Sequence, residues 1–111
     1  MAVTYKVLGQ LKPTAATAST LYTVPTGAGN YAVVSTLTIT NQGSIPSAIR
    51  VAIRPAGAAL EDKHYIVYNV QAPAVSTLNF TMGITVASTD VITVYDTVGT
   101  CSFNLFGSEN S

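Results

Sequence analysis

Along most of this chain apolar and polar residues alternate with a period of two, and no long stretch keeps a helical period. A period of two is the signature of strands that bury one face. The clearest run is residues 31–40, YAVVSTLTIT. It assigns Val33, Leu37 and Ile39 to one face, with Ser35 between them, and Val34, Thr36, Thr38 and Thr40 to the other. A row of threonines makes a good outer β surface, being β-branched yet polar, and it equally suits an uncharged surface for a partner. Residues 48–54, AIRVAIR, place Ile49, Val51 and Ile53 inward, and Arg50 and Arg54 outward beside Ala48 and Ala52. Residues 64–70 are apolar on both faces, with Ile66, Tyr68 and Val70 on one and Tyr65 and Val67 on the other. Such a strand is either central and covered or lies at an interface. In residues 75–82, Leu78, Phe80 and Met82 point inward against Thr77, Asn79 and Thr81. Gly83 marks a bulge or bend before residues 84–86 resume. Shorter strands are predicted over residues 3–8, 19–24, 91–95 and 101–106.

Turn chemistry separates these runs. Residues 26–30, TGAGN, carry the Gly and Asn that tolerate positive φ. Residues 41–46, NQGSIP, predict a long-looped hairpin between residues 31–40 and 48–54. Pro55 removes a backbone donor and closes its strand, and residues 56–63 hold one short helical turn at most. Residues 9–18, GQLKPTAATA, have no period and read as an extended arm or a loop; in an assembly such an arm lies across a neighbour. Residues 107–111 read as a polar tail. About eight short strands, spaced at roughly 8–12 residues, predict one all-β domain over residues 1–111. The expected architecture is an antiparallel β-sandwich of jelly-roll-like form. An immunoglobulin-like sandwich is the alternative, here without the paired cysteines and tryptophan of antibody domains.

Composition sharpens this picture. Charged residues are 9% of the chain, against roughly 25% in an average soluble domain. Much of that charge falls between Arg50 and His64. The outer faces are therefore built from Thr, Ser and Asn, or they are covered by neighbours, since interface centres are depleted in charge. The formal net charge is zero, which argues against a basic nucleic-acid surface and removes the self-repulsion that keeps proteins apart. An assembly component is expected rather than a free monomer. The first ten residues, MAVTYKVLGQ, lack the apolar core of a signal peptide, and no apolar run is long enough to span a bilayer. A chain made in a cytoplasm is expected, with no membrane partner.

Candidate chemistry is sparse. Cys101 is the single cysteine, expected as a buried small hydrophobe, and no Cys/His cluster points to zinc or any other cofactor. His64 is the single histidine. With Asp62, Glu61 and a serine it forms a triad only on paper, because no nucleophile-elbow pattern accompanies it. Asp90 and Asp96 flank a predicted strand and read as turn and strand-end residues rather than a glycosidase pair. No phosphate loop, dinucleotide fingerprint or EF-hand loop is present, and Gly27-x-Gly29 precedes a strand rather than a helix. Six scattered tyrosines and no tryptophan give no evident sugar-binding platform. The chain is expected not to be an enzyme. The interface candidates are Arg50 and Arg54, whose guanidinium forks suit carboxylates, the faces of Tyr65 and Val67, and the threonines Thr36 and Thr38.

Taken together, the segments KVLGQ, TLYTVP, AVVSTLTITNQGS, RVAIRPAGAALEDKHYIVY, GITVASTDVITVY and SFNLFGSE resemble a family of small all-β structural proteins encoded by tailed phages. The likeness runs over nearly the whole chain and is most specific at residues 50–68 and 102–109. It implies a virion component. A capsid cement, or decoration, protein is similar in size, all-β and commonly a homotrimer. Its partners would be the major capsid protein and copies of itself, and its place the capsid, assembled in the host cytoplasm. A tail, fibre or baseplate accessory protein is the alternative. The family brings no catalytic residues to transfer.

Overall fold

The period-two runs become strands in a computed structural model that describes residues 3–110. Among the described residues there are eight: β1 (Val3–Leu11), β2 (Ser19–Thr23), β3 (Tyr31–Asn41), β4 (Ser47–Arg54), β5 (Tyr65–Ala72), β6 (Ser76–Ala87), β7 (Val91–Asp96) and β8 (Cys101–Asn110). Two single 3₁₀ turns, Pro55–Gly57 and Asp62–His64, lie between β4 and β5. The strands form two four-stranded antiparallel sheets. The first has the order β1-β8-β3-β6 and the second β2-β7-β4-β5.

The inward residues of both sheets meet in one sandwich-like hydrophobic cluster. Leu37, Ile39, Phe103 and Leu105 from the first sheet and Ile49, Val51, Ile92 and Val94 from the second are fully buried. Truncating a buried aromatic of this kind to alanine typically costs about 3–5 kcal/mol, so Phe103 is a principal contributor to stability.

A line of bulges crosses the first sheet and changes which residues face the core. On β3, Val34 pairs with Gly107 and Thr36 with Phe106, so Ser35 is the extra residue. On β1, Leu8 is skipped between Val7 and Gly9 opposite the same part of β8. On β6, Met82 and Gly83 fall between the partners of Thr36 and Val34. A strict alternation put Val34 on the outside with Thr36 and Thr38. The bulge reverses it: Ala32 and Val34 are buried before Ser35, and Leu37, Ile39 and Asn41 after it. Val33 takes the outer face. A bulge inserts one residue, and one residue is half the strand period. Gly107 sits at the centre of this line. A Cβ there would collide with the carbonyl oxygen of Val33 and touch the Leu8 side chain.

Three connections differ from the sequence reading. Residues 9–11 are not an arm; they extend β1 and pair with Leu105, Asn104 and Phe103 of β8. Residues 12–18 stay on their own domain, where Pro13 is buried and the Ala16 amide donates to the Asp96 carbonyl at 2.8 Å. Residues 107–110 are not a tail but the second half of β8, paired with both β1 and β3. Alternation is hidden there by Gly107 and by polar side chains on both faces. Finally, β3 and β4 are not a hairpin. They lie in different sheets. The buried Asn41 side chain makes the crossing possible, because its amide donates to the Ile45 and Ala72 carbonyls at 2.9 and 3.0 Å. Its oxygen accepts from the Gly43 amide at 2.9 Å and the Thr100 hydroxyl at 2.8 Å. All four hydrogen-bonding positions of the amide are thereby used.

Candidate interaction surfaces

The outer face of the first sheet is polar and nearly uncharged. Its four strands contain only two charged residues, Lys6 and Glu109. These pair with each other at 3.2 Å; Glu109 is also bonded by Tyr22 of the opposite sheet and so is turned away from the outer face, while Lys6 lies at the β1 edge. What remains outside is a set of rows running across the strands. Gln10, Asn104, Thr38 and Asn79 are successive partners across β1, β8, β3 and β6. Gln10 donates to Asn104 and Thr38 to Asn79, each at 2.8 Å. The neighbouring row is Val7, Phe106, Thr36 and Thr81, and the next is Tyr5, Ser108, Val33 and Thr85. Thr36 and Thr38, both predicted as interface residues, thus lie near the middle of this face and are half-buried. At the β1 edge the surface turns apolar. Tyr5 is 84% exposed, with Val3 and Val7 beside it. Tyr5, Val33, Ser35 and Phe106 line a shallow depression of about 400 Å³ whose rim includes Lys6.

The outer face of the second sheet carries the other candidates, and there side chains are already occupied. Arg50 lies over three rings at once, 4.5 Å from the centroid of Tyr68, 4.4 Å from Tyr95 and 6.0 Å from Tyr65. Its Nε donates to Asn69 Oδ1 at 2.7 Å. The register explains the cluster: Arg50 pairs with Tyr95 on β7, and bulges on β5 bring Tyr65 and Tyr68 to the same side. Asn69, at φ 54°, supplies the local left-handed turn, a conformation asparagine tolerates. Tyr65 and Tyr68 meet edge to face, with centroids 4.9 Å apart and planes at 72°. Three of the six tyrosines that look scattered in sequence, Tyr65, Tyr68 and Tyr95, are therefore gathered in space. The sequence signal that could have found them is the coincidence of two outward positions, Arg50 and Tyr95, on strands not yet known to be neighbours.

Arg54 is not an accessible fork. Its Nε and Nη2 donate to the Ala58 and Gly57 carbonyls at 2.7 and 3.1 Å, and Nη1 reaches Thr93 at 3.3 Å. It clamps the 3₁₀ turn onto β4. Val67 is also not on the surface face: it pairs with Val51 and packs against the core, because a bulge separates it from Tyr65.

Asp96, Cys101, His64 and Asp90 are held within the fold by burial or by hydrogen bonds. Asp96 is completely buried. Its carboxylate accepts from the Ser47 hydroxyl, from the Cys101 amide at 2.8 Å and from the Val98 amide at 3.1 Å. Burial alone would raise its pKa, but the bonds from Ser47 and from backbone amides outweigh it and hold the carboxyl below its usual range. Burial, with the Asp96 charge adding to it, pushes the Cys101 thiol up to about 11, so it stays protonated and unreactive at neutral pH. His64 Nδ1 accepts from the Glu61 amide at 3.0 Å inside its own 3₁₀ turn. Asp90 bonds the Ala56 and Ala87 amides at 2.9 and 2.8 Å. Among the described residues no group of three or more His, Cys, Asp or Glu is placed to hold a metal ion, and no helix is long and apolar enough to cross a membrane. No protein-family model matches the chain, and no curated protein matches it.

Proposed function

We propose that this chain is a structural protein of a phage virion, a capsid cement protein that binds the assembled head shell through the outer face of its first sheet. One observation carries the reading. The four strands hold only two charged residues, Glu109 bonded by Tyr22 of the opposite sheet and Lys6 paired with it at the β1 edge, and the rest of the outer face is rows of Thr, Asn, Gln and Ser beside an apolar edge at Val3, Tyr5 and Val7. A free surface ordinarily carries mixed charges, whereas charge depletion beside exposed aromatic and aliphatic residues is characteristic of interfaces. Such a protein acts by mass action: it binds the assembled shell and not its dissociated subunits, and so stabilises the shell.

The strand orders support a jelly-roll reading of the fold. β1 pairs with β8, β2 with β7, β3 with β6 and β4 with β5, while β3–β8 and β4–β7 complete the two sheets. That is the pattern of one long antiparallel ribbon folded over on itself, an arrangement used by viral capsid domains and lectins alike. The partners on this reading are the major capsid protein and further copies of the chain, as a homotrimer. The test is the copy number of the chain relative to the major capsid protein in purified virions, by quantitative mass spectrometry. A ratio of one, or a simple fraction of it, is expected. A trace ratio would move the protein to the tail, fibre or baseplate, and its absence from virions would end the virion reading.

A further inference from the structure

The second sheet faces away from the proposed shell contact, and its outer surface holds a hollow of about 380 Å³ lined by Asp62, Tyr65 and Tyr68. We propose that this corner is a saccharide site that takes one pyranose ring of a neutral glycan. Its volume falls within the roughly 300–1,000 Å³ of small-molecule clefts. The two rings meet at 72° and make two walls of a corner, apolar in body and polar at the tip. Among the described residues, Tyr22 is the one tyrosine whose hydroxyl has a protein hydrogen-bond partner, so the hydroxyls of Tyr65 and Tyr68 are free for a ligand. The Asp62 carboxylate has no cation within ion-pair distance among the described residues. A carboxylate accepts from two adjacent hydroxyls, and an aromatic face takes the C–H face of a sugar ring. These are the two surfaces that a pyranose presents.

An aromatic corner with a carboxylate would also suit an organic cation, and Arg50 decides between the two. Its guanidinium already lies 4.5 Å from the Tyr68 centroid and 6.0 Å from that of Tyr65. A second cation would share rings whose quadrupole is engaged and would meet the Arg50 charge. A neutral polyol meets neither objection. Arg50 is on this view a positioning residue. With Asn69 holding its Nε, it fixes the two rings before any ligand arrives. The inference does not depend on what the first sheet binds.

The test uses the full chain, labelled with ¹⁵N, and trisaccharides of glucose, galactose, mannose and N-acetylglucosamine as probes. At least one is expected to give saturable shifts at Asp62, Tyr65 and Tyr68, with an affinity on the order of millimolar. Tyr68→Ala and Asp62→Asn are expected to weaken that binding by about tenfold each. Both residues are exposed, so the variants should keep the parent spectrum elsewhere. Thr38→Lys, on the opposite face, should leave the sugar affinity unchanged. Failure of all four sugars to shift these residues overturns the proposal. So does an affinity unaltered in Tyr68→Ala, or choline filling the same corner more tightly than any of the sugars.

Discussion

The phenol of Tyr22, on the second sheet, donates a 2.5 Å hydrogen bond to the carboxylate of Glu109, on the first. Burial first, and then this bond, push the phenol above its ordinary value of about 10. The same bond, followed by the Lys6 ammonium, outweighs partial burial and holds the Glu109 carboxyl below the usual range. A depressed carboxyl adds stability that is present above its unfolded pKa and is lost as pH falls through the folded one. Tyr22→Phe removes the bond between the sheets and is expected to cost about 1.5 kcal/mol at neutral pH, the low end for a hydrogen bond to a charged group. Carboxyl NMR titration should show Glu109 moving back up in that variant. An unmoved Glu109 would mean that the phenol is not what holds it down.

Asp96 is expected to set the acid limit of the fold. Its carboxylate is buried and serves Ser47, Cys101 and Val98 together, joining the start of β4 to the turn between β7 and β8. Its depressed pKa means that stability is full above the ordinary aspartate value of about 3.9 and falls as pH drops below it. Asp96→Asn cannot accept at both oxygens, so a buried donor is left facing an amide NH₂. The expected loss is about 2–3 kcal/mol at pH 7, with a flatter decline in acid. Denaturant melts of both proteins between pH 3 and pH 7 would show it. Parallel pH profiles would place the acid sensitivity elsewhere.

How much of this was legible in the sequence follows from the period. Stretches whose alternation is regular, such as that with Leu78, Phe80 and Met82 inward ahead of the shift at Gly83, are found as expected. The faces of β3 were misassigned from Ser35 backward because a bulge leaves no mark in a run of β-branched and small residues. The sheet partners were not legible at all. They depend on contacts far apart in the chain, and the tyrosine cluster depends on them in turn. Thr36 and Thr38 were placed on an outer face by alternation alone, whereas Arg54 and Val67 were misjudged because their environment is set by a 3₁₀ turn and a bulge.

Val75 offers a gain in stability. It stands in the turn before β6 with φ 49° and its side chain 77% exposed. A β-branched residue in the left-handed region is strained by about 1–2 kcal/mol and recovers little from contacts here. Its amide bonds the Gly43 carbonyl at 3.1 Å, so the turn conformation is held from outside. Val75→Asn keeps the backbone and tolerates the positive φ. The expected gain is about 1 kcal/mol, or about 4 °C in Tm. A melting temperature that stays put or drops would show that the exposed valine makes contacts of its own.

The cement reading is most directly tested at Thr38. Its row spans all four strands of the first sheet, and its hydroxyl donates to Asn79 at 2.8 Å. A lysine there can extend into solvent in the free protein, so folding stability should change by less than about 1 kcal/mol. In a shell contact the same ammonium would be buried without a partner, which costs on the order of 3–5 kcal/mol. Binding to shells stripped of the protein, followed by co-sedimentation, should therefore weaken by at least about a hundredfold. Arg50→Lys, on the opposite sheet, serves as the matched control and should bind as the parent does. If Thr38→Lys sediments with shells as well as the parent, the uncharged face is not the contact. If Arg50→Lys alone fails, the shell is bound through the tyrosine cluster instead, and the two sheets exchange their proposed roles.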